Sequence, residues 1–74
     1  MTLNMLKKGQ VAIIEKIEAD HLLKERLLSF GIMQDEEIEV KTHSLAKNTF
    51  EVMVGETLVA LREDEAKKIK VKLN

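Results

Sequence analysis

The sequence predicts a mainly β fold, a small five-stranded barrel of SH3-like or OB-like form, with one short α-helix after the first strand and a helical turn before the last. Apolar residues alternate with charged ones along most of the chain, and one segment switches to helical spacing. The chain has only 74 residues, too few to cover five alternating strands laid out as a flat sheet. Closing the strands on themselves buries their apolar sides and removes the edges. A chain of this size buries about 60% of the surface it exposes when unfolded. Residues 1–74 therefore read as a single domain with no room for a deep active-site cavity.

The first strand is expected over Gln10–Glu18, QVAIIEKIE, where Val11, Ile13 and Ile17 share one face at period two with Glu15 among them. Asp20 then supplies an acceptor for the free N–H groups of a helix start, and Leu23, Leu27 and Phe30 follow at helical spacing. The helix spans about residues 21–30. Gly31 suits the left-handed residue that ends a helix, and Ile32 can fold back on Leu27, the contact that accompanies a Schellman stop.

The second strand follows, with Ile38, Val40 and Thr42 on a buried face and Glu37, Glu39, Lys41 and His43 on a wet one. SLAKN, residues 44–48, is a loop. Phe50, Val52 and Val54 alternate with Glu51 and Met53, Gly55-Glu56 fits a type II′ turn, and Thr57, Val59 and Leu61 lie opposite on the return strand. REDEAKK allows a helical turn near 63–68, and Ile69, Val71 and Leu73 make the last strand.

Composition excludes several kinds of function. There is no Cys, so no disulfide or thiolate metal site can form, which fits a reducing cytoplasm. Twelve Lys and Arg against 13 Asp and Glu leave a net charge of −1, without a general pull toward nucleic acid or anionic lipid. The only aromatics are Phe30 and Phe50, both on predicted core faces, so the stacking platforms of single-strand binders and the grooves that hold Pro-rich peptides are absent. No apolar run is long enough to span a bilayer, and the start MTLNMLKKG lacks the core of a signal peptide. A cytoplasmic protein without direct membrane insertion is expected.

Catalysis requires an activated nucleophile or an acid and base pair in a protected pocket, and neither His21 nor His43 stands in such a motif. Asp35-Glu36-Glu37 and Glu63-Asp64-Glu65 lack the offsets of a calcium loop. They read as a turn running into a wet strand face, and as the acidic first turn of a short helix. No catalytic residue, metal site or cofactor is expected.

Apolar surface is what is left over. On a helical wheel Leu28 and Leu22 point well away from the Leu23, Leu27, Phe30 stripe, at about 100° per residue. With Met33 and Ile32 after the turn, and Arg26 on the rim, they form a candidate partner surface: Leu22, Arg26, Leu28 and Met33. The alternative is that other elements of the barrel cover these leucines.

These residues also carry a likeness. Leu3-x-x-Leu6-x-x-Gly9, the strand to Ile17, the element Arg26, Leu27, Phe30, Gly31 and Ile32, and the closing segment Val59-Ala60-Leu61-Arg62, Glu65-Ala66, Ile69 and Val71 together resemble the FeoA family of small proteins from bacterial ferrous iron uptake. The chain departs from the family where Pro-Gly commonly precedes the second strand; Gln34 and Asp35 stand there, and Asp35 tolerates turn conformations. The SLAKN loop also lacks the Gly or Pro frequent in relatives. The resemblance implies an SH3-like barrel with a helical insertion after the first strand. It further implies a non-enzymatic accessory of the FeoB-type membrane iron transporter that acts by contact with its cytosolic part, modulating its GTPase or its assembly. The alternative is an SH3-like domain related to the C-terminal domain of metal-dependent repressors. The start at Met1 directly on the barrel motif favours the free-standing reading, and the sequence is compatible with self-association.

Overall fold

The computed structural model describes residues 1–73. Its strands are β1 (Val11–Ile17), β2 (Glu37–His43), β3 (Thr49–Val54), β4 (Thr57–Arg62) and β5 (Ile69–Leu73). Helix α1 (His21–Ser29) follows β1, and a single turn, α2 (Glu63–Ala66), joins β4 to β5. A 3-10 turn at Leu3–Met5, which period and propensity did not announce, opens the chain.

All strand pairs are antiparallel, in the order β4-β3-β2-β1-β5. The sheet curls into a barrel without closing, since β4 and β5 do not pair with each other. The expectation that closure would remove both edges is therefore corrected. Side chains of the 3-10 turn and α2 help to complete the core, with Leu3, Leu6 and Ala66 buried beside Phe50, Val52, Leu61, Ile69 and Val71.

The helix ends as its sequence dictates. Asp20 Oδ1 accepts the Leu23 N–H at 2.9 Å, which satisfies one of the free donors at the start. At the other end Gly31 has φ 88°, its N–H reaches the Leu28 carbonyl at 2.9 Å, and the Ile32 N–H reaches the Leu27 carbonyl at 3.0 Å. This pair of bonds is the Schellman stop, and Leu27 and Ile32 are both buried. The β3–β4 hairpin also follows its sequence, with Val52 opposite Val59 and Phe50 opposite Leu61. Gly55 has φ 59° while Glu56 stays outside the left-handed region, as a type II′ turn requires.

Two bulges overturn strand faces read from simple alternation. In β1 the core residues are Ala12, Ile14 and Ile17, and the expected pair Val11 and Ile13 is only half-buried. Ile14 pairs with Val71 and Lys16 with Lys70, so Glu15 is an extra residue that shifts the phase and returns Ile17 to the core. In β2 the register slips between Val40 and Thr42. Thr42 then stands opposite the exposed Glu51, and His43 opposite buried Phe50, with ring centroids 5.8 Å apart. Leu73, expected inside, is exposed at the end of β5.

Candidate functional site

Helix α1 buries a single residue completely, Leu27, while Leu23 and Phe30 pack against the core as half-buried neighbours. None of the described residues covers Leu22 or Leu28. Leu22 is 80% exposed, Leu28 54% and Met33 39%. The two leucines stand about 120° apart around the helix, so they occupy opposite flanks of the buried edge and do not make one continuous patch.

Each flank has its own chemistry. Leu22 lies one turn before Arg26, whose guanidinium bonds the Glu65 carboxylate of α2 and stands 5.8 Å from the centre of the Phe30 ring. Arg26 thus ties α1 to α2, and half of its side chain stays open to solvent. Leu28 lies on the other flank, one turn after Lys24. It and Met33 bracket the Gly31 turn, and Met33 begins the tight turn into β2, its carbonyl accepting the Glu36 N–H at 3.2 Å.

That turn is where Asp35 replaces the glycine expected from the resemblance. Asp35 has φ 72° while Gln34 does not enter the left-handed region, the pattern of a type II turn over Met33–Glu36. Its N–H bonds the Ile14 carbonyl at 2.8 Å and the Ile14 N–H bonds the Glu36 carbonyl at 2.9 Å, so the joint is pinned to β1.

Electrostatics secure the surroundings of α1. Burial raises the pKa of the Glu65 carboxyl, but the Arg62 N–H at 2.9 Å and the Arg26 guanidinium outweigh it and hold the group below its ordinary 4.5. Glu18 and Lys70 pair at 2.8 Å, which lowers the carboxyl and raises the ammonium. The two His residues are engaged separately, His21 with Glu25 and His43 with the Ser44 carbonyl and Phe50. Among the described residues no three His, Cys, Asp or Glu side chains gather as a metal site, and no helix is long and apolar enough to cross a membrane. Open surface hollows lie over Asn48, Thr49 and Arg62, and over Thr42, His43 and Ala60.

Exposed apolar residues also lie outside the candidate set read from sequence: Met1, Met5 and Leu73 near the chain ends, and Leu45 and Leu58 away from them. Leu45 projects fully from the SLAKN loop, and Leu58 lies on the outer side of β4. Alternation carried the signal for Leu58, since Val59 and Leu61 face inward.

Comparison with known proteins adds an independent finding. The FeoA domain model matches residues 1–73. A protein of Campylobacter jejuni named for Fe(2+) transport (transport protein A) is 50% identical over 74 residues, covering 99% of each chain. The crystal structure of Stenotrophomonas maltophilia FeoA complexed with zinc, described as a procaryotic SH3 domain protein, is 30% identical, covers 97% of this chain and 89% of its own, and superimposes with a TM-score of 0.86. A manganese-dependent transcriptional repressor superimposes at 0.91 over all of this chain and 41% of its own, but at 21% identity it shares the fold alone.

Proposed function

This chain belongs to the FeoA family of ferrous iron transport accessory proteins, and on that premise we propose that it docks on the cytosolic part of a FeoB-type membrane transporter through the exposed flanks of α1. The observation that carries the reading is the exposure of Leu22, Leu28 and Met33 around a helix that buries only Leu27 completely. Leu28 and Met33 bracket the Gly31 turn, both exposed, and apolar side chains grouped in this way are anchors for a partner surface. Leu28 and Met33 form the apolar part of the contact, and Leu22 with Arg26, which Glu65 holds in place, forms a second, separate contact on the other flank. The partner responds through a change in its GTP hydrolysis or its assembly, and the small protein itself performs no chemistry.

Titration of the transporter's purified cytosolic domain tests this. Wild-type protein binds saturably, and Leu28→Glu weakens binding at least tenfold while its amide spectrum stays folded, as expected when a charge is forced into an apolar contact. Equal affinity of a folded Leu28→Glu variant removes Leu28 from the interface. The repressor-domain alternative predicts no binding to the transporter.

A further inference from the structure

The two edges of the sheet are treated differently. The outer edge of β5 is covered by the chain start, with Thr2 bridged to Lys70 and the Val71 N–H bonded to the Met1 carbonyl at 2.9 Å, and β5 carries Lys70 and Lys72. Such coverage and lysines are what blunt a sheet edge. Among the described residues the outer edge of β4, Thr57-Leu58-Val59-Ala60-Leu61-Arg62, has no strand beside it, and it carries no lysine and no proline.

Its backbone is free to pair. The two-residue turn makes Val54 and Thr57 the bonded pair that closes the hairpin, so Thr57, Val59 and Leu61 spend their N–H and C=O groups on β3. Those of Leu58 and Ala60 point outward. Both side chains are exposed, Leu58 at 53%. Glu56 and Arg62 stand exposed at the two ends of the same edge, with opposite charges.

We infer that the β4 edge pairs antiparallel with β4 of a second copy of this chain, about a two-fold axis at Val59. In this register Leu58 exchanges both backbone bonds with Ala60 of the second copy, and Glu56 faces Arg62 of the second copy on each side. Charge and hydrogen-bond parity select it together. A slip by one residue sets outward groups against groups already spent on β3. A slip by two places Leu58 or Ala60 opposite itself and leaves Glu56 and Arg62 without each other. The edge is short, so the dimer is weak and concentration-dependent. It is a surface distinct from the flanks of α1.

Sedimentation equilibrium of the wild-type protein from micromolar to millimolar concentration, with amide shifts followed over the same range, is the test. The expected result is a monomer–dimer equilibrium whose shifts centre on Leu58 and Ala60. Glu56→Arg and Arg62→Glu each weaken it about tenfold, and the double variant restores it, since it reverses both charges and re-forms both pairs. Ala60→Pro removes an outward N–H without touching the β3 ladder, and should leave a folded monomer. A wild-type protein that stays monomeric throughout overturns the inference. So does a dimer that the double charge reversal fails to rescue, or one that persists in a folded Ala60→Pro variant.

Discussion

Asp35 donates its backbone N–H to the carbonyl of Ile14 at 2.8 Å while holding a left-handed φ of 72°. A side chain that tolerates this conformation stands where glycine would adopt it freely, and the bond to β1 fixes it there. Asp35→Gly should therefore stabilise the fold by about 0.5 kcal/mol, and Asp35→Val should cost about 1–2 kcal/mol because a β-branched residue resists this region. Urea unfolding of the two variants measures both. Equal midpoints would mean that the turn does not hold the left-handed residue.

Gly31 is expected to be less tolerant than its space suggests. A Cβ there would meet only Val54 Cγ1 at 3.9 Å, an ordinary contact, so the cost of Gly31→Ala comes from φ 88° and not from collision. The loss should be about 1–2 kcal/mol. If enlarging the side chain further, to Ser, adds little to the loss seen by thermal unfolding, the conformational origin holds.

Leu27 and Leu28 are neighbours in sequence with opposite fates. Leu27→Ala should cost about 2–4 kcal/mol, since it leaves a cavity in the core. Leu28→Ala should change stability by about 0.5 kcal/mol or less. Denaturant midpoints of the two variants check the rotation of α1 directly.

The Glu65 carboxyl gives the fold a pH-dependent contribution. Its pKa is lowered in the folded state, so its stabilisation is fully present above its ordinary 4.5 and is lost as pH falls through the folded value. Glu65→Gln should be less stable than wild type at neutral pH. The difference should shrink below pH 4.5, and thermal melts across that range should converge toward acid.

Local rules were legible where a residue's role is settled by its near neighbours. Asp20, Gly31 and Ile32 set both ends of α1, and Gly55 with the alternation of Phe50, Val52 and Val54 set the hairpin. The faces of β1 and β2 were misread because Glu15 and Lys41 lie at bulges, and a bulge is chosen by the partner strand and not by its own residue type. The 3-10 turn at Leu3 and the unpaired β4 and β5 also depend on distant packing. At the candidate site, the surplus of Leu22 and Leu28 could be read from the wheel. Whether anything covers them could not, because coverage is decided by how the sheet curls; their separation onto two flanks already follows from about 100° per residue.

The proposed docking puts the exposed flank of α1 at Leu28 against the transporter. Calorimetric titration of the transporter's cytosolic domain with wild type and with Leu28→Glu decides it, with folding of both confirmed by amide spectra. Saturable binding by the wild type, weakened at least tenfold in the folded variant, is the expected result. Indistinguishable affinities, or no binding by the wild type, would contradict it.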